Sequence, residues 1–184
     1  MTTIALKAAT TAVTLAALVS LGFAAKAGPD NVKLPENLGV LYGTVDRADT
    51  KLHRELYATP AAVEAARAGK PKDPTEWFMT PLPSGSVLTM VSFKAKLDDK
   101  GAPVKGADGR FVKGELAAYG VMEKRTGWGA EYPAELRNGE WEYQIFTAAK
   151  APNTKANIKG CFECDKPKQG DDYLFTLGQL KAAK

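Results

Sequence analysis

Val87-Leu-Thr-Met-Val-Ser-Phe-Lys-Ala-Lys-Leu97 is the stretch on which the fold turns. Val87, Thr89, Val91 and Phe93 fall on one side of an extended chain, and Leu88, Met90, Ser92, Lys94 and Lys96 on the other. That imperfect period of two predicts a strand. Asp98-Asp-Lys-Gly101 then makes a turn, and Gly101-Ala-Pro-Val104 with Ala107-Asp-Gly-Arg110 forms a further excursion. Phe111 to Lys124 reads as a second long strand and Trp141 to Ala148 as a third, with Asn138-Gly139 as the turn before it.

Upstream, Lys70 to Ser86 holds Pro71, Pro74, Pro81, Pro83 and Gly85, so it reads as a loop, and Trp77 and Phe78 imply that it packs onto something. Thr59 to Gly69 reads as a helix. Thr59 is placed to cap it, Pro60 suits the first helical position, an alanine run carries it, and Gly69 suits a left-handed end. Lys51 to Thr59 is a short strand stopped by Pro60, and Gly39 to Val45 is another. Residues 28–38 form an arm. Near the C-terminus, Asn153 or Thr154 is placed to cap a short helix running into Cys161 and Cys164, with the aromatic tail Asp171 to Thr176 beside it. The expected class is α+β: a mainly antiparallel sheet with a few short helices packed on it.

The first 27 residues have the form of a secretory signal. Lys7 precedes an apolar run from Ala8 to Ala24, which ends in the small-x-small pattern Ala25-Lys26-Ala27. Thr10, Thr11, Thr14, Ser20 and Gly22 interrupt the run, whereas a true span needs roughly 18 or more strongly apolar residues. The expected product is a single domain, 28–184, periplasmic or secreted and free of the membrane. Cleavage removes two lysines and no acid from a chain of net charge +4, so the basic pI carries little weight. The lysines are scattered, with no basic stripe interleaved with aromatics, which argues against nucleic acid as a partner.

The chemistry concentrates in Cys161-Phe-Glu-Cys164-Asp165, which holds both of the chain's cysteines. In an exported protein, Cys-x-x-Cys-His marks covalent haem attachment: two thiols one helical turn apart meet the two porphyrin vinyls, and the next residue offers an imidazole to the iron. Here that next residue is Asp165. Three readings follow: haem attachment at Cys161 and Cys164 with an unusual or absent axial ligand, a Cys161–Cys164 disulfide, or a site for another metal that includes Asp165. The third is short of ligands, because a closed zinc site takes four N or S donors. The only histidine, His53, lies far upstream. With Ser84, Ser86 or Ser92 it makes no recognisable catalytic set. The acid pairs Asp98-Asp99 and Asp171-Asp172 read as solvated or capping groups in turns.

Taken in order, Gly39-Val-Leu-Tyr-Gly-Thr-Val-Asp-Arg-Ala-Asp49, Ala58-Thr-Pro-Ala-Ala62, Val87-Leu-Thr-Met-Val91, Lys96-Leu-Asp-Asp-Lys-Gly-Ala-Pro-Val104, Val121-Met-Glu-Lys-Arg125, Gly139-Glu-Trp-Glu-Tyr143, the cysteine pair and Asp172-Tyr-Leu-Phe-Thr176 resemble the cytochrome P460 family over nearly the whole mature chain. The resemblance implies an antiparallel β fold shared with the β-sheet cytochromes c′. It also implies a periplasmic homodimer and a c-type haem on Cys161 and Cys164, with a redox or gas-binding role toward hydroxylamine or nitric oxide. P460 proper links a lysine to the porphyrin edge, and alignment puts that lysine at Lys94 or Lys96. Phe93, Phe111, Trp128 and Trp141 are candidates to line a haem pocket, or else to fill a core. Asp165 stands at the position of the family's haem-ligating histidine. The cofactor is therefore haem c or none, and the rival reading is a haem-free binding or structural protein stapled by the two cysteines.

Overall fold

The computed structural model describes residues 28–69 and 81–184. The signal reading, and the Trp77 and Phe78 of the proline-rich loop, lie outside them. The decisive stretch forms strand β3, Val87–Ala95, at the centre of a five-stranded antiparallel sheet. Its neighbours in chain order are β1 (Val40–Arg47) and β2 (Leu52–Ala58) on one side, and β4 (Lys113–Lys124) and β5 (Trp141–Thr147) on the other. Each strand pairs with the next, so the sheet is a simple meander. The imperfect alternation of β3 now has a physical cause. Leu88 and Val91 point to opposite faces, and both are buried because both faces are covered.

One face carries three helices: α1 (Pro60–Ala68), α2 (Ile158–Asp165) and α3 (Leu177–Ala182). Ala58, Ala62, Val63, Leu88, Trp141, Phe162 and Leu180 pack there. The other face holds a smaller cluster of Val91, Tyr119, Val121, Trp128 and Phe146, closed by Val32 from the N-terminal arm. Small residues let the helices approach closely. Ala62 and Ala66 on α1 are almost completely buried, and a Cβ on Gly43 of β1 would meet Gln179 of α3. Between β3 and β4 the chain makes the expected excursion as a hairpin, with isolated bridges at Leu97–Pro103 and Lys105–Phe111. Asp98 accepts hydrogen bonds from the amides of Lys100 (2.9 Å) and Ala102 (2.8 Å), and so forms the turn. No helix among the described residues is long and apolar enough to cross a membrane.

Three local expectations are corrected. Thr59 does not cap α1; its hydroxyl accepts from the Val87 amide instead, and Gly69 closes the helix at φ −66°, outside the left-handed region. Helix α2 is capped by Asn157, whose Oδ1 accepts from Gly160 N–H at 3.1 Å, while Asn153 is spent on its own turn. Asp172 is no solvated turn acid. It is 8 % exposed and forms a buried ion pair with Lys124 (2.8 Å), and it also accepts from the Trp141 indole (3.3 Å) and the Leu82 amide (2.8 Å). The last residue of β4 faces the helices, so its ammonium needs a partner inside.

Candidate functional site

Helix α2 is held to the sheet by Phe162, which is 6 % exposed and meets the rings of Tyr143 and Tyr132 edge to face at centroid distances of 4.7 Å and 5.4 Å. The adjacent Cys161 is thereby half-buried. Cys164, one turn on, lies on the same side of the helix and is exposed. Both thiols are free, so the disulfide expected by the rival reading is not formed in the structure.

Asp165 closes the helix and points back toward β5. Asn138, fully buried, donates through Nδ2 to the Tyr143 hydroxyl (3.0 Å) and to the Phe162 carbonyl (3.0 Å). With its oxygen lone pair so occupied, Tyr143 turns its own proton to the Asp165 carboxylate. Tyr42, whose hydroxyl is 3.0 Å from Thr176 Oγ1, lies close enough to Asp165 to feel its charge. Burial pushes the Asp165 carboxyl up to about 6, against the opposing pull of the Tyr143 hydrogen bond. Burial, followed by the negative charge of Asp165, pushes the Cys161 thiol up to about 11, so it is a protonated, weakly nucleophilic sulfur at neutral pH. Arg47 and Arg54 lie within electrostatic reach of Cys164, and the Arg54 Nε is buried with no hydrogen-bond partner among the described residues.

The raised Asp165 pKa has a consequence for stability. The folded state holds this proton up to about pH 6, whereas the unfolded chain releases it near the ordinary aspartate value of 3.8. Over that window the native state binds more protons, so Asp165 makes the fold progressively less stable as pH rises. Asp165→Asn keeps an acceptor for Tyr143 and removes the titration. The variant's stability relative to wild type is expected to grow between pH 4 and pH 6.5 and then level off. A difference that is flat across that range in denaturant titrations would show that Asp165 is not buried as described.

The remaining candidates do not gather round the cysteines. Trp141 lies on the helical side, fully buried beneath the Lys124–Asp172 pair. Phe93 and Trp128 belong to the cluster on the opposite face, and Phe111 is buried at the base of the hairpin. The four aromatics thus line no common pocket: β3 and β5 send Phe93 and Trp141 to opposite faces, and Phe111 and Trp128 lie in the segments before and after β4. Lys94 shares a sheet face with Ser92 and Arg54, but at the exposed end, paired with Glu115 at 3.2 Å. Lys96, also exposed, lies just past the strand. His53 pairs in register with Phe93, which puts it on the face away from α2, where its Nδ1 is 2.7 Å from Asp46. Tyr143, Asn138, Tyr42 and Arg54 went unnoticed in the sequence. Asn138 was read only as half of a turn, and nothing local to the four residues links them.

Set against a c-type haem, the donor groups agree in one respect and fail in another. The thiols have the required helical spacing, with one sulfur half-buried and one exposed. The residue after the second cysteine offers a carboxyl committed to Tyr143, and the single imidazole is hydrogen-bonded to Asp46 on the far face. The residues present therefore do not fit an imidazole-ligated haem. Nor do the described residues contain a group of three or more His, Cys, Asp or Glu side chains able to hold another metal.

Comparison with curated proteins finds no match. The family model for cytochrome P460 matches residues 36–176, a range that runs from before β1 to the end of the aromatic tail and includes the cysteine helix. On that match and on the five-stranded antiparallel sheet with its short helices, this chain belongs to the cytochrome P460 family.

Proposed function

We propose that this chain is an exported P460-family protein that works without the family's imidazole-ligated haem, as a binding protein and not as a hydroxylamine oxidase. One observation carries the reading: Asp165, at the position where the family likeness expects the proximal ligand, is a buried carboxyl hydrogen-bonded to Tyr143. A carboxyl so engaged is a poor substitute for imidazole on iron, and His53 is held elsewhere by Asp46. The family likeness further supports a periplasmic or secreted location and a homodimer.

The second reading is a c-type haem protein with redox or gas-binding activity toward hydroxylamine or nitric oxide. It is favoured by the spacing of Cys161 and Cys164 and by the orphaned Arg54 Nε beside Cys164, a cation suited to an anionic cofactor substituent. The test is to express the full precursor in a host with haem-maturation machinery, then record the absorption spectrum and intact mass. The expected result is a mature chain within two hydrogens of its bare mass and no Soret band. A mass increment of one haem overturns the proposal in favour of the second reading.

A further inference from the structure

On the sheet face away from the cysteines, the hairpin between β3 and β4 folds over the ends of β1 and β2 and leaves a cavity of about 370 Å³. Thr44, His53, Glu55, Arg110, Phe111 and Lys113 line it. The volume is in the range of small-molecule sites. At its base His53 is 5 % exposed, with Nδ1 2.7 Å from Asp46 Oδ1, and the other Asp46 oxygen accepts from the Phe111 amide at 3.1 Å. A carboxylate only accepts, so it holds the ring proton on Nδ1 and leaves Nε2 as an acceptor. In the neutral ring that nitrogen is free to accept from a ligand in the cavity that His53 lines.

The hydrogen-bonding capacity around the cavity is lopsided. The acids are already engaged. Glu55 accepts from Lys113 (2.5 Å) through one oxygen and from Tyr57 (3.0 Å) through the other, both Asp46 oxygens are occupied, and Asp108 accepts from the Arg110 amide at 3.0 Å. The donors are not. The Arg110 guanidinium approaches Asp46 only to 4.0 Å, beyond hydrogen-bond range, and is 46 % exposed. Lys113 keeps two N–H groups after its bond to Glu55. An anion with two parallel oxygens suits an uncommitted guanidinium fork. The lone acceptor at His53 asks for one donor from the same ligand.

We propose that this cavity binds a small hydroxycarboxylate, with the carboxylate on Arg110 and Lys113 and the hydroxyl donating to His53 Nε2. The site is independent of whether haem is attached on the opposite face. Since His53 is the only histidine, its ring ¹⁵N resonances report on the cavity alone. Titrating the full mature protein with lactate is expected to move the His53 Nε2 resonance. Acetate, which lacks the hydroxyl, is expected to bind about tenfold more weakly, and Arg110→Gln to weaken lactate by about tenfold or more while leaving the fold intact. A His53 resonance unmoved by millimolar lactate overturns the proposal. So does equal binding of lactate by Arg110→Gln and wild type, and an equal response to acetate overturns the role given to His53.

Discussion

Asp172→Ala is expected to lower the unfolding free energy by about 3–5 kcal/mol, the cost of stranding one member of a buried ion pair. Lys124 is 5 % exposed, and its ammonium reaches both Asp172 oxygens, at 2.8 Å and 2.9 Å. The same carboxylate also satisfies the Trp141 indole and the Leu82 amide, so its removal leaves three donors without an acceptor in a dry environment. Against a typical total of about 5–15 kcal/mol this is a large loss. It would appear in urea as a lower midpoint with an unchanged slope. Asp171→Ala is the control: its side chain is 47 % exposed and meets Lys168 at a loose 3.6 Å, so about 0.5 kcal/mol or less is expected. Equal costs for the two substitutions would mean that the Lys124–Asp172 pair is solvated. The double variant Lys124→Met with Asp172→Ala should cost less than the two single losses combined, because no charge is then stranded.

Asp165→His is expected to convert a haem-free product into one that carries covalent haem. The prediction isolates the residue on which the proposed loss of haem rests. Cys161 and Cys164 already have the helical spacing, and Asn138 and Tyr143 would still be in place to orient a side chain at position 165. In the host used to test the wild type, the variant should gain a Soret band and one haem of mass, while the wild type shows neither. A variant that folds but stays colourless would mean that the covering of the helical face by Phe162, Tyr143 and Tyr132 has closed the space itself. The missing imidazole would then be only one of two obstacles. Far-UV circular dichroism separates that outcome from simple misfolding.

Much of the fold was legible because strands and turns are written locally. Period-two patterning located β3, β4 and β5 to within a few residues, Pro60 marked the start of α1, and Asp98 and Asn138-Gly139 marked turns. The caps were less legible. Thr59, Asn153 and Asn157 all have side chains able to cap, and the choice among them depends on which amide each one meets after packing. The aromatics were less legible still. Alternation shows that Phe93 and Trp141 each have a face, but two strands apart it does not show whether the faces coincide.

What the sequence by itself determined is a set of strands for a mainly antiparallel sheet, the helical spacing of Cys161 and Cys164, and a carboxyl, Asp165, directly after the second cysteine. These depend on residue identity and on separations of a few positions. Tertiary structure alone decided that Asp165 is buried beside Tyr143, that His53 turns away from the cysteines to Asp46, and that Asp172 becomes an internal counter-ion for Lys124 from 48 positions away. The reason is that a carboxyl's charge state is set by its dielectric surroundings and its hydrogen-bond partners. Those surroundings exist only once the helices have closed over one face of the sheet.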